Sequence, residues 1–159
     1  MSESVFARLT DLLNQAGVPF EVLHHAPVFT SEEAAAVRGT SLASGAKALI
    51  CKVDDQFHLL VIPADRKLAS KLARKSLGAK SIRFATKEEV WDLTGLAPGS
   101  IPPFGSLFRL PTSCDASLAA EPQLNFNAGD HAISISLRFE SFVAAESPRQ
   151  LALTDPPAG

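Results

Sequence analysis

From Ser4 the apolar positions Phe6, Leu9, Leu13 and Ala16 recur at helical spacing, and Gly17 stands where a left-handed residue closes a helix. The pattern predicts a helix over residues 4–16. Residues 20–24 then alternate as a strand. Thr30-Ser31-Glu32-Glu33 has the spacing in which a threonine and a glutamate three positions on satisfy each other's free backbone donors, so a short helix is expected to Arg38, before Gly39. Two β-rich runs, 46–53 and 57–63, flank Asp54-Asp55-Gln56 and read as a hairpin of central strands. A helix over 69–77 closed by Gly78 and a short strand at 81–84 follow. A second capping box, Thr86-Lys87-Glu88-Glu89, opens a helix that stops at Gly95.

Residues 96–105, LAPGSIPPFG, are excluded from regular structure, because Pro98, Pro102 and Pro103 lack donors and fix the backbone; a rigid loop is expected. Strands are predicted at 107–110, 123–127 and 132–137, the last with Ile133, Ile135 and Leu137 on one face, and a helix at 139–145. Residues 147–159, with three prolines, read as a frayed tail. Interleaved helices and strands with hairpin signals predict an α/β fold, a single domain built on one mixed sheet of about six to seven strands with surrounding helices.

The length of 159 residues suits one core, and 46% apolar with 20% charged residues excludes wholesale disorder. The longest apolar stretch, residues 59–64, is far short of a membrane span, and the N-terminus lacks the basic-then-apolar order of a secretion signal. The expectation is a cytoplasmic protein with no membrane partner. Cys51 and Cys114 are too few and too distant for a disulfide framework or a Cys-x-x-Cys site, and read as buried thiols.

Charge becomes informative when it is divided along the chain. Seven basic residues, Arg66, Lys67, Lys71, Arg74, Lys75, Lys80 and Arg83, occupy eighteen positions without an acid, while the remainder carries eight bases against seventeen acids. Such a patch attracts polyphosphate, which makes RNA a candidate partner with Arg66, Lys67, Lys71, Arg74 and Lys75 as its contacts. The other reading is a solvated helix face over a core-facing Leu68, Leu72 and Ala73.

Most catalytic patterns are absent. No two of the four histidines share a His-x-x-x-His spacing, and there is no Gly-x-Ser-x-Gly, dinucleotide fingerprint or phosphate loop. No metal and no cofactor are expected. Lys47 differs in kind: SLASGAKALICKV sets one long cation at the start of an apolar strand just after Gly45, so it either reaches a solvated rim or enters a site.

Four segments in order, RGTSLASGAKALICKV, LLVIPADRKL, PGSIPPFG and FNAGDH, resemble the YbaK/ProX family of free-standing aminoacyl-tRNA editing domains, and His25-Ala26-Pro27 with Thr30 resembles that family's first motif. The resemblance covers Leu9 to Val143 and implies one editing domain over residues 1–146. It implies metal-free hydrolysis of the ester joining a wrong amino acid to the 3′ end of tRNA, with mischarged aminoacyl-tRNA as partner and an aminoacyl-tRNA synthetase as a second candidate partner. Lys47 corresponds to the family's essential lysine. The loop Gly99, Ser100, Ile101, Pro102 and Pro103 corresponds to part of the amino-acid pocket, with His25, Thr30, Asn127, Gly129, Asp130 and His131 as further substrate-binding candidates.

A lysine cation suits a terminal phosphate or a developing oxyanion better than base catalysis, and the substrate's own 2′-hydroxyl is a candidate for assisting the attacking water. Ala48 stands where alanine-specific relatives carry asparagine, and the histidine comes only at position 131; both depart from that specificity and leave the wording nearer the serine and threonine subgroup. For Asn127 to His131 a plain turn between strands is the competing reading. Two other functions stay open, a non-catalytic tRNA-binding or regulatory protein on the same fold and a hydrolase of some other small aminoacyl ester.

Overall fold

The computed structural model describes residues 4–155. Helix α1 is Val5–Gln15, capped by the Ser4 side chain accepting from the Ala7 N–H, with Leu9 and Leu13 buried. Helices α2 (Ser31–Arg38) and α4 (Lys87–Thr94) both begin with the reciprocal Thr–Glu box expected, and both end on a left-handed glycine, Gly39 and Gly95. Between them lie β2 (Ala46–Val53), β3 (Gln56–Pro63), α3 (Ser70–Ser76) and β4 (Ile82–Phe84).

The α/β character is as expected, but the strands among the described residues number eight and divide into two sheets. The five-stranded sheet has the order β4, β2, β3, β5 (Thr112–Asp115), β8 (Arg149–Leu151), with β3, β5 and β8 parallel and the others antiparallel. The three-stranded sheet is antiparallel, in the order β1 (Glu21–His24), β7 (Ile133–Arg138), β6 (Gln123–Asn127). The sheets touch at a parallel bridge between Gly45 and Asn125. Helix α5 is Phe139–Glu146.

Strands β2 and β3 are covered on both faces, which explains their near-continuous apolar runs. Ala46, Ile50, Leu59 and Val61 join the main core with Phe104, Phe126 and Phe142, while Cys51, Val53, Leu60 and Ile62 face a second cluster with Ala73 and Leu153. Burial pushes both thiols, Cys51 and Cys114, up to about 12, so they are inert hydrophobes at neutral pH.

Two expectations are corrected. The strand predicted at 107–110 is a 3₁₀ turn, Gly105–Phe108, held by the Glu146 carboxylate, which accepts from the Ser106 N–H and hydroxyl and from Thr112 Oγ1. The strand comes only afterwards, at β5. Of the predicted tail, residues 147–155 are ordered and residues 156–159 lie outside the described residues: β8 pairs with β5, Leu153 is fully buried, and Asp115 accepts the Leu153 and Thr154 N–H groups at 2.8 and 3.0 Å. A buried carboxylate with two donors is a tertiary anchor that local composition does not reveal.

Candidate active site

A cavity of about 650 Å³ opens where the two sheets separate. Strand β2 pairs with β3 along its whole length but with β4 only through Cys51–Val53. From Ala46 to Leu49 its second edge is therefore unpaired, and alternate backbone N–H and C=O groups face the cavity. Gly45 makes this junction possible. A Cβ there would stand 2.9 Å from the Ala64 Cβ and 3.2 Å from the Leu42 carbonyl oxygen, where the Ala64 N–H donates to the Gly45 carbonyl.

Lys47 lines the cavity, and its side chain is exposed. The two sequence alternatives, rim and site, thus coincide at the cavity mouth. The ion pairs among the described residues are Arg66–Asp115, Arg83–Glu89 and Arg138–Glu140, and none involves Lys47.

A hydrogen-bonded chain closes the opposite wall. Asn127 Nδ2 donates to the Gly99 carbonyl at 2.7 Å, and its Oδ1 accepts from Arg38 at 3.0 Å. Arg38 Nε donates to Ser134 Oγ at 2.8 Å, and Ser134 Oγ lies 2.8 Å from His25 Nε2. His25 Nδ1 is 2.8 Å from the Ala26 carbonyl, which fixes that nitrogen as the donor and leaves Nε2 to accept the Ser134 hydroxyl proton. The end of α2, strands β6 and β7, and the proline loop are joined in this way. Burial pulls the Arg38 guanidinium down to about 10, still a cation at neutral pH and without a carboxylate partner among the described residues.

The structure does not gather all the sequence candidates into one cavity. Thr30, Lys47, Gly99, Ile101 and Asn127 line it, with Arg66 and Lys67 at its edge. The Thr30 hydroxyl already accepts the Glu33 N–H as the α2 cap. Ser100, Gly129, Asp130 and His131 line a separate shallow depression of about 420 Å³ that shares Phe29 with the main cavity. Residues 128–132 are the β6–β7 turn: Asp130 accepts the Ala132 N–H, and the Gly129 N–H donates to the Ser100 carbonyl. Pro102 and Pro103 are buried within the loop and line neither hollow, and His25 also lines neither, its Nε2 lying against Ser134 Oγ.

The basic segment is weaker than its formal charge. Arg83 is tied to Glu89 by two hydrogen bonds of 2.8 and 2.9 Å, which with the Thr86 N–H hold that carboxyl down to about 2. Arg66 donates to Thr154 and faces Asp115 at 4.0 Å. Lys67, Lys71, Arg74 and Lys75 remain exposed. Among the described residues no three His, Cys, Asp or Glu side chains are grouped to hold a metal ion, and no helix is long and apolar enough to cross a membrane.

Arg38, Ser134 and Asn125 were not singled out from the sequence. Asn125 joins the sheets, its side chain donating to Ser44 Oγ at 3.0 Å. No local signal marks Asn125 or Ser134, because each falls on a polar position of a strand that alternates polar and apolar residues, QLNFN and ISISLR.

The chain is 34% identical over 146 residues to the multifunctional Ser/Thr-tRNA deacylase ProXp-y of Escherichia coli K12, covering 89% of this chain and 87% of that protein. It is 34% identical over 97 residues to the proline–tRNA ligase of Bacillus licheniformis, 60% of this chain but 17% of the ligase. In fold it matches the crystal structure of a candidate trans-editing enzyme for prolyl tRNA synthetase with a TM-score of 0.85 at 23% identity, over 98% of this chain and all of that one. The aminoacyl-tRNA editing domain profile matches residues 25–144, and with a relative aligned along nearly the full length this places the protein in the aminoacyl-tRNA editing domain family.

Proposed function

We propose that this protein is a trans-editing aminoacyl-tRNA deacylase, with Lys47 as its principal functional side chain and serine or threonine as the amino acid removed. The observation that carries the reading is the Lys47 ammonium, without an ion-pair partner among the described residues, on a cavity with a wall fixed by hydrogen bonds from α2 to the proline loop. The cavity volume lies within the range of small-molecule sites and suits an aminoacylated adenosine.

In the reaction a water oxygen adds to the ester carbonyl carbon, the carbon–oxygen bond to the ribose breaks, and the ribose oxygen takes a proton. Free amino acid and uncharged tRNA leave. Lys47 balances negative charge on the terminal phosphate or the tetrahedral oxyanion, at a value of 10²–10³ in rate for one such donor in general. The unpaired edge of β2 supplies backbone donors and acceptors to the amino acid. No protein base is required when the vicinal ribose hydroxyl relays the proton.

The Ser/Thr preference is supported by the E. coli relative's name and by Ala48 beside Lys47. The synthetase as a partner is supported by the partial match to proline–tRNA ligases, one of which this chain matches over only 17% of its length. The test is loss of the ester from a panel of mischarged tRNAs, including seryl and threonyl species. Release that survives chelator and disappears in a folded Lys47→Ala variant is expected. Retained release in that variant refutes the assignment, and a wild type that binds tRNA without releasing any amino acid makes the protein a binding module.

A further inference from the structure

Three large aromatic side chains are exposed near the cavity: Phe29 at 72%, Trp91 at 62% and Phe84 at 56%. Exposed tryptophan and phenylalanine of this degree are unusual unless a partner covers them. Two of them belong to one place. Phe29 and Trp91 both line the shallow depression beside the main cavity, and Phe29 lies against the His131 ring with centroids 4.8 Å apart. Phe29 lines the main cavity as well, so the two hollows adjoin.

We infer that this depression is a nucleobase subsite, in which an unpaired base of the substrate's 3′ end stacks on Trp91 and Phe29 while the terminal nucleoside occupies the main cavity. The inference rests on the deacylase reading, since it deepens how that substrate is held. A tRNA 3′ end is single-stranded, and unpaired bases are held by aromatic side chains through their faces. The wall between the hollows is short, as one residue serves both. Asp130 and His131 add polar groups of the kind that meet a base edge. Charge favours a base here over backbone phosphate: among the described residues Asp130 and no lysine or arginine line the depression, whereas Arg38, Lys47, Arg66 and Lys67 outnumber Glu32 and Asp65 around the main cavity.

The chain has one tryptophan and no tyrosine, so its intrinsic emission is a direct reporter of this subsite. The experiment titrates wild type with the trinucleotide CCA while following emission, and measures deacylation of mischarged tRNA by wild type, Trp91→Leu and Trp91→Phe. Aminoacylated adenosine, which lacks the preceding base, is the second substrate. Trp91 is a surface residue, so Leu leaves the core untouched.

Expected are quenching by CCA, and a roughly ten-fold or greater rise in KM for mischarged tRNA in Trp91→Leu with kcat within about two-fold, matching the usual worth of one stacked base. Trp91→Phe should largely restore KM, and all three proteins should hydrolyse aminoacylated adenosine alike. Active wild type with unquenched emission and an unchanged KM in Trp91→Leu overturns the subsite and leaves the deacylase reading intact. An equal loss on aminoacylated adenosine also overturns it, because the effect then lies in the main cavity. Quenching by CCA in a wild type that never releases amino acid does the reverse, keeping the base-binding site while refuting the reading it rests on.

Discussion

Lys47 and Asp115 are both charged groups on the five-stranded sheet, yet their surroundings are opposite. The Asp115 carboxylate is buried and fully engaged, accepting from Leu153, Thr154 and Ser117 with Arg66 at 4.0 Å. Lys47 stands at an unpaired strand edge with no ion-pair partner among the described residues. A charge whose bonding capacity is filled by its own chain is committed to the fold, whereas one left open toward a cavity is available to a ligand. Mutation should therefore separate the two, activity being lost at one and stability at the other.

The largest effect is expected at Lys47. Lys47→Ala should lower kcat/KM for mischarged tRNA by roughly 10²–10³ with the melting temperature unchanged. Single-turnover deacylation beside a thermal melt measures both, and a fall in stability matching the fall in activity would erase the contrast with Asp115. Asp115→Ala should do the converse, costing about 3 kcal/mol by stranding the Leu153 and Thr154 donors, as read by denaturant unfolding. The folded fraction should keep near-normal turnover.

Acid sharpens the same comparison. Burial raises the Asp115 carboxyl, but the hydrogen bonds from Ser117, Leu153 and Thr154 outweigh it and leave the group below its ordinary value. Its share of stability is thus fully present above the unfolded carboxylate range and is lost as pH falls below about 4. Unfolding free energy against pH should slope less steeply there in Asp115→Asn than in wild type, and parallel curves would remove Asp115 from the account.

Smaller effects probe the wall opposite Lys47. Arg38→Met removes the donor that orients Asn127 toward the Gly99 carbonyl, and roughly a ten-fold loss in kcat/KM is expected with little change in binding of uncharged tRNA. Gly99 has φ +94°, and a Cβ there would meet only His131 Nε2 at 3.5 Å, so Gly99→Ala acts through backbone strain of about 1–2 kcal/mol and not through crowding. Loss of the strained loop should show as a lower melting temperature, and any drop in activity beyond that marks contact with substrate.

The smallest change is expected on α3. In Lys71→Ala/Arg74→Ala each phosphate contact removed should flatten the log–log salt dependence of tRNA binding by about 0.7–0.9, with amino-acid preference unchanged. An unaltered slope makes this face solvent-exposed structure only.

What the sequence determined by itself was local. Capping boxes at Thr30 and Thr86, glycine stops at Gly39 and Gly95, and the 46–53/57–63 hairpin are dictated by neighbours a few residues apart, and they appear within a residue or so of where the pattern set them. Lys47 was legible as well, because a cation opening an apolar strand conflicts with its surroundings. Short strands β5 and β8 were not, since each is stabilised by pairing across the chain and by Asp115 rather than by its own composition. Arg38 and Ser134 escaped notice for the same reason: 96 residues separate them, and only the packing of α2 on the three-stranded sheet brings them to 2.8 Å. The tertiary structure alone decided that Asn127 faces the main cavity while Asp130 and His131 turn into the neighbouring depression, because the β6–β7 turn reverses the chain between them.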